Sequence, residues 1–252
     1  MKVLAITQAR IGSSRLPGKV LKKVKGESLL SIHIQRILKS KLINELVVAT
    51  THEDGVDEII NICRESNVEF HQGSVDDVLE RFYEAAAPRY PDLVVRITSD
   101  CPLVDPEVID KMIQAAIDNQ KDYTSNTLHP TYPDGIDVEV MKFTALQRAF
   151  HEAKIPSERE HVTPYIWKNS TYKGHSLFTA ENIENPIDFS GSRLTVDTPE
   201  DFEVIEKIIE IEGTDKSWEQ YERTLSKNPE IKIINQSYRR NEGYEKSIKE
   251  GN

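Results

Sequence analysis

Arg10, Arg15 and Lys19 fall within ten residues near the start of the chain, in a stretch that also holds Gly12, Ser13, Ser14 and Gly18. Glycine and serine let backbone N–H groups approach an anion closely, and three cations suit the charge of a triphosphate. The stretch follows Val3, Leu4, Ala5 and Ile6, an apolar run of buried-strand type. Strand, glycine-rich loop and cations together read as a phosphate cradle. The P-loop pattern is not met, because Ser13 stands where its first glycine would be and Val20 replaces its metal-binding hydroxyl. A solvated basic surface loop is the plainer alternative.

Carboxylates are the second kind of residue that could do chemistry. Asp100 follows the apolar strand LVVRIT (Leu93 to Thr98) by two residues and has no capping task, whereas Asp105-Pro106 reads as N-cap and first position of a helix. Asp100 is therefore free to hold a metal; a turn-forming role is the alternative. Asp197 ends another expected strand, Arg193 to Val196, and the next helix starts on Thr198 and Pro199 without needing it. Two carboxylates from distant strands on one rim suit a hard cation such as magnesium. Asp134, Asp137 and Glu139 recur near alternate positions, fitting either contact with hydroxyls or a cationic group of a ligand or a solvent-facing strand edge. Arg159 and His161 lie in an expected helix capped by Ser157, with Glu160 at the capping-box position, and could meet an acidic or phosphorylated ligand. His161 as a structural residue or as a base is left open.

These residues need a frame to bring them together. Helical spacing over Ser28 to Ser40, Asp54 to Glu65 and Val75 to Ala87 alternates with apolar strands at Glu45 to Thr50, Val68 to Phe70 and Leu93 to Thr98. Such alternation predicts an α/β fold, a mainly parallel twisted sheet of Rossmann-like type with helices on both faces. Ligands of these sheets sit beyond the carboxyl ends of the strands, so Lys19 and Asp100 are expected on one rim. Tyr123 to Asn126 and Ile136 to Met141 alternate as half-buried strands and suggest a small β-rich lobe for acceptor binding or dimerisation. One domain over residues 1–212 is expected, followed by an extension at 213–252. That extension holds a helix over Ser217 to Leu225 and a polar tail from 235 that reads as loose, except that Tyr238, Arg239, Arg240 and Tyr244 could fold over the site or across an interface.

Charge narrows the partners. The net charge is −10, yet residues 1–41 carry ten lysines and arginines against one acidic residue, while the rest carry 22 against 41. An anionic body with a cationic opening segment suits a small polyphosphate ligand and fits a nucleic-acid track poorly. Cys63 and Cys101 are too few for a disulfide scaffold, and Met1-Lys2 leads into strand residues without a signal-peptide pattern or a membrane-spanning run. A cytoplasmic protein is expected, with no membrane partner.

The string QARIGSSRLPGKVL resembles the N-terminal motif of the cytidylyltransferases that make CMP-activated sugar acids, and more narrowly the spore-coat-polysaccharide type. RITSDCPLVDP (Arg96 to Pro106), DGIDVEV (Asp134 to Val140), EREHVTPYI (Glu158 to Ile166) and RLTVDTPEDFE (Arg193 to Glu203) follow in the family's order. The resemblance implies CTP bound around Gln8, Ala9, Arg10, Gly12, Ser13, Ser14 and Ser99, with Arg15 and Lys19 on its phosphates. It implies Mg2+ on Asp100 and Asp197, a sugar-acid or phosphorylated small-molecule acceptor, pyrophosphate as product and a homodimer. Arg15, Lys19 and Asp100 would then carry catalysis. A nucleotide-sugar glycosyltransferase would show a DxD motif where this chain reads Ser99-Asp100-Cys101, and a non-catalytic nucleotide-binding module would lack the two carboxylates.

Overall fold

Apolar residues occupy both faces of three of the expected strands, so each strand must be covered on both faces. A computed structural model describes residues 1–250 and meets this demand. In chain order the first half holds β1 (Val3–Gln8), a short hairpin of β2 (Lys23–Val24) and β3 (Glu27–Ser28), α1 (Leu29–Ile37), β4 (Glu45–Thr50), α2 (Val56–Glu65), β5 (Glu69–Gln72), α3 (Val78–Ala86) and β6 (Leu93–Thr98). The second half adds α4 (Pro106–Asn119), β7 (Tyr123–Ser125), β8 (Glu139–Lys142), α5 (Phe143–Glu152), α6 (Pro156–His161), α7 (Pro164–Lys168), β9 (Ala180–Asn182), α8 (Pro199–Glu212), α9 (Trp218–Lys227), α10 (Pro229–Lys232) and α11 (Glu242–Glu250).

Seven strands form one sheet in the order β5-β4-β1-β6-β8-β7-β9. β1 pairs in parallel with β4 on one side and β6 on the other, so the strand order reverses direction at β1 and opens a crevice at the carboxyl ends of β1 and β6. Side chains alternate across the sheet as a parallel core requires. Ala5, Val48 and Val95 pack with α1, α2, α4 and α8, while Leu4, Val47 and Val94 pack with α3 and α5 on the opposite face. Three helix starts are capped: Ser28 accepts from the Ser31 N–H at 3.1 Å, and, as expected, Asp105 accepts from Glu107 at 2.8 Å and Thr198 forms a reciprocal capping box with Asp201.

Several expectations are corrected. β7 and β8 are buried and belong to the main sheet, β8 antiparallel to β6, because the Tyr123, Met141 and Val140 side chains are covered by helices on both faces. No separate lobe holds them. Residues 193–196 form no strand; a single parallel bridge joins Arg193 to Asp134 before the chain turns into α8. Ser157 is not a cap, since Pro156 starts α6 and leaves Ser157 inside it, with Ile155 at the N-cap position. The segment after α8 docks firmly. Buried Arg36 donates to the carbonyls of Val104, Thr214 and Lys216 at 2.7, 2.5 and 3.0 Å, and Trp218, Tyr221 and Leu225 of α9 join the core on one face, as their spacing suggests. The tail is not loose over its described part, where it closes with α11; residues 251 and 252 lie outside the described residues. Among the described residues no helix is long and apolar enough to cross a membrane.

One buried polar link ties the sheet to the rim. His33 on α1 is fully buried, accepts from the Thr7 hydroxyl at Nε2 (2.8 Å) and donates from Nδ1 to the Cys101 carbonyl (2.9 Å), a pattern that suits the neutral ring. Burial pushes its pKa down to about 4 from the usual 6.5. Below pH 6.5 the unfolded chain therefore takes up a proton that the folded chain refuses, and stability falls as pH drops towards 4. We expect urea denaturation at pH 5 to show about 2 kcal/mol less contribution from this residue than at pH 7. The variant His33→Gln should lose correspondingly less stability between the two pH values; an identical loss in both proteins would refute the assignment.

Candidate active site

The loop after β1 is closed by its own backbone. Gly18 donates to the Ile11 carbonyl at 3.0 Å and sits at φ +65°, a conformation glycine adopts without strain. The chain then enters a single 3-10 turn, Lys19–Leu21, which aims Lys19 back across the carboxyl ends of β1 and β6. Its ammonium donates to Asp100 at 3.1 Å, to Asp197 at 2.8 Å and to the Val196 carbonyl at 2.9 Å. The expected meeting of Lys19, Asp100 and Asp197 is thus met in atomic contact. Burial alone would lower the Lys19 pKa, but the two carboxylates outweigh it and hold it above the ordinary value. Burial likewise opposes ionisation of Asp100, and Lys19 with the Thr98 hydroxyl holds that carboxyl far below the usual range.

The backbone explains why distant strands converge here. Val196 and the Thr195 hydroxyl both donate to the Asp100 carbonyl, at 2.8 and 3.1 Å, which locks the 193–197 segment beside β6. On its other side Asp134 donates to Ser192 and accepts from Leu194. That approach depends on Gly135, at φ +104°, where an added Cβ would lie 2.5 Å from the Leu194 carbonyl carbon and 2.7 Å from Thr195 N.

Charge alternates outward from Lys19. Arg15 pairs with Asp197 at 2.8 Å and Glu242 at 3.2 Å. Arg193 forks onto Asp201 (2.8 and 2.8 Å) and reaches Asp134 at 2.5 Å and Asp197 at 3.3 Å. Arg240 pairs with Asp137 and approaches Asp134 at 3.8 Å. Burial pushes the Asp137 carboxyl up to about 7; Arg240 opposes this while Asp134 and Glu139 add to it.

A cleft of about 790 Å3 joins these groups. One wall includes Gln8, Ala9, Arg10, Gly12, Ser13 and Ser14, and Ser99 also lines the cleft. All nine residues expected to contact nucleotide line this one cleft, as do Asp100 and Asp197. Cys101 is a packed side chain whose thiol burial pushes well above its usual pKa, so it serves as no nucleophile.

The expected acceptor residues divide. Asp134, Asp137, Glu139 and His161 line the cleft, so none sits on a solvent-facing edge. Glu139 is a strut: its oxygens accept from Tyr123 at 2.5 Å, from Thr163 at 2.7 Å and from Arg96, leaving it committed. Arg159 stands outside the cleft. It pairs with Asp77, the N-cap of α3, at 2.5 Å and donates to the Phe150 and Ala153 carbonyls, so its guanidinium staples α6 to its neighbours and is not free for an acceptor. Glu160, read from sequence as part of a cap, instead lines the cleft and accepts from Ser247 of α11 at 2.5 Å. Burial and nearby Arg96 push the His161 pKa down to about 4.

Sequence reasoning missed Arg81, Arg96 and Arg193. Two of them carried a signal: Arg96 is a charge inside an apolar strand, and Arg81 a charge on the apolar side of α3. Burial lowers the Arg81 pKa to about 10, so it remains a cation beside Arg10. A metal is testable on the donor set alone. Asp100 and Asp197 are hard oxygen ligands, neither caps a helix, and one ammonium already bridges them, so the two fit a divalent cation shared with phosphate oxygens.

Residues 4–232 match the cytidylyltransferase family model. The spore coat polysaccharide biosynthesis protein SpsF of Bacillus subtilis is 34% identical over 237 residues, covering 90% of this chain and 95% of that protein. A 3-deoxy-manno-octulosonate cytidylyltransferase of Chlamydia trachomatis is 28% identical over 196 residues, 73% of this chain and 75% of its own. A solved cytidylyltransferase from Leptospira borgpetersenii superposes with a TM-score of 0.86 at 33% identity, over 92% of this chain and 97% of that one.

The close approach at Gly135 generates a stability prediction. Gly135→Ala should cost on the order of 2–4 kcal/mol, because both the left-handed φ and backbone contacts that cannot relax oppose a Cβ. Thermal or urea denaturation measures it, and a loss under 1 kcal/mol would show that the 193–197 segment yields.

Proposed function

The chain belongs to the cytidylyltransferase family, and on that premise we propose that it transfers CMP from CTP to a sugar acid or phosphorylated small molecule in making precursors of surface polysaccharide. The observation that carries the reading is the contact of Lys19 with both Asp100 and Asp197, beside Arg15, at the crevice where the strand order reverses. The names of the spore-coat and octulosonate relatives support the acceptor class and pathway.

In this reading an acceptor oxygen attacks the α-phosphorus, a new P–O bond forms, and the bond to the β-phosphate oxygen breaks to release pyrophosphate. Negative charge grows on the leaving pyrophosphate, so catalysis rests on positioning and electrostatics. Arg15 and Lys19 face that charge as preorganised cations; binding of a triphosphate offers each of them a replacement for its present carboxylate partners. Asp100 and Asp197 would hold Mg2+, which when bound supplies charge neutralisation for phosphate oxygens and a lowered pKa for an acceptor hydroxyl. Arg10 and Arg81 add positive field on the same wall of the cleft. An acceptor phosphate or carboxylate arrives already ionised, so the chain needs no dedicated base for such a nucleophile.

Two measurements test this. Thermal shift with CTP, UTP, ATP and GTP, each with and without Mg2+, should give a rise for CTP that Mg2+ enlarges, since a ligand of the folded state raises the melting temperature. A rise for another nucleotide alone would overturn cytidylyl specificity. Lys19→Met should cut pyrophosphate release by about 100-fold or more while the far-UV circular dichroism stays unchanged; near-native turnover would refute its role.

A further inference from the structure

The acceptor side of the cleft has a roof made by the end of the chain. α11 is tied to α6 by the Ser247–Glu160 hydrogen bond, and the Tyr244 ring stands edge-on to the His161 ring at 4.9 Å and to the Trp167 ring at 6.2 Å. Arg240 and Glu242, just before and at the start of α11, hold the segment down on Asp137 and Arg15. Under this roof three enclosed polar atoms have no hydrogen-bond partner among the described residues: Arg96 Nε, His161 Nε2 and Tyr244 Oη. Their side chains all line the one cleft. Buried groups of this kind are ordinarily paired, and three together in a cleft point to a ligand.

Their chemistry says which ligand. Arg96 Nε carries an N–H with no acceptor, Tyr244 offers an O–H, and His161 can present an N–H at Nε2, so the set is rich in donors and poor in acceptors. Glu139, the one carboxylate paired with Arg96, is already committed to Tyr123 and Thr163 and cannot serve them. Lys173 adds a cation on the same wall, its ammonium 5.8 Å from the Trp167 ring centre and paired with no carboxylate among the described residues. We infer that Arg96, His161 and Tyr244 form an oxyanion subsite that receives a carboxylate or phosphate group of the acceptor, and that α11 is the part of the chain that closes this subsite. The inference rests on the transferase reading above and adds to it the residues that choose the acceptor. The cations lining the cleft then divide into two sets, with Arg15, Lys19, Arg10 and Arg81 facing the nucleotide and Arg96 with Lys173 facing the acceptor.

The test uses full-length protein saturated with CMP and Mg2+, titrated calorimetrically with 3-deoxy-manno-octulosonate, glucose 1-phosphate and neutral mannose. At least one of the two anionic probes should bind and mannose should not; which anion binds distinguishes carboxylate from phosphate. Tyr244→Phe removes one oxygen and keeps the ring, and His161→Phe keeps a ring of similar shape, so both variants should fold. Each should weaken the bound anionic probe about tenfold and leave CMP affinity within twofold. Mannose binding as tightly as the anions, unchanged anion affinity in both variants, or no anion binding by a protein that binds CMP would overturn the subsite alone. Failure of the unaltered protein to bind CMP would overturn the transferase reading and this inference with it.

Discussion

A lysine ammonium clasped between two aspartates is the interaction on which the rest depends. Lys19 is 14% exposed and Asp100 and Asp197 about a quarter, so the three groups are only partly shielded by water and attract each other more strongly than surface charges do. Lys19 arrives from a loop closed by Gly18, Asp100 from the end of β6, and Asp197 from a segment fastened to Asp100 by backbone hydrogen bonds. None of these pieces is near another in sequence. The sheet order, with β1 between β4 and β6, puts them on one rim, and the ion pairs then fix their spacing.

The half of this arrangement around the opening loop was legible from sequence because it is built locally. A strand followed at once by a loop of glycines, serines and cations states its own geometry, and the helix caps at Ser28, Asp105 and Thr198 leave Asp100 and Asp197 unclaimed. The half around Arg96 and Glu139 was less legible because it is built by pairing across the sheet. Alternation in residues 136–141 gave the strand but not its partner, and once β8 pairs with β6 the Glu139 carboxylate faces Arg96 and becomes internal. Arg159 misled for the same reason: its partner, Asp77, lies 82 residues away.

Composition misread the tail. Residues 235–249 are too polar to form a core, yet they need none, since charge and hydrogen bonds hold them. Asn235 is buried and donates to Asp201 at 2.9 Å, Tyr238 donates to Glu200 at 3.0 Å, and Arg240 reaches carboxylates more than 100 residues earlier. A polar segment can order on a surface whose opposite charges are already fixed, and the anionic body of this protein supplies that surface.

The alternating charges also constrain how the sequence can drift. Asp197 serves Arg15, Lys19 and Arg193; Asp134 serves Arg193 and Arg240. A substitution at any one of them strands a partner that a second neighbour is also using, so its cost spreads to residues of the opening loop, the middle of the chain and its tail together. Residues 15, 134, 193, 197 and 240 thus form one coupled set of charges, though scattered over 226 positions of the chain.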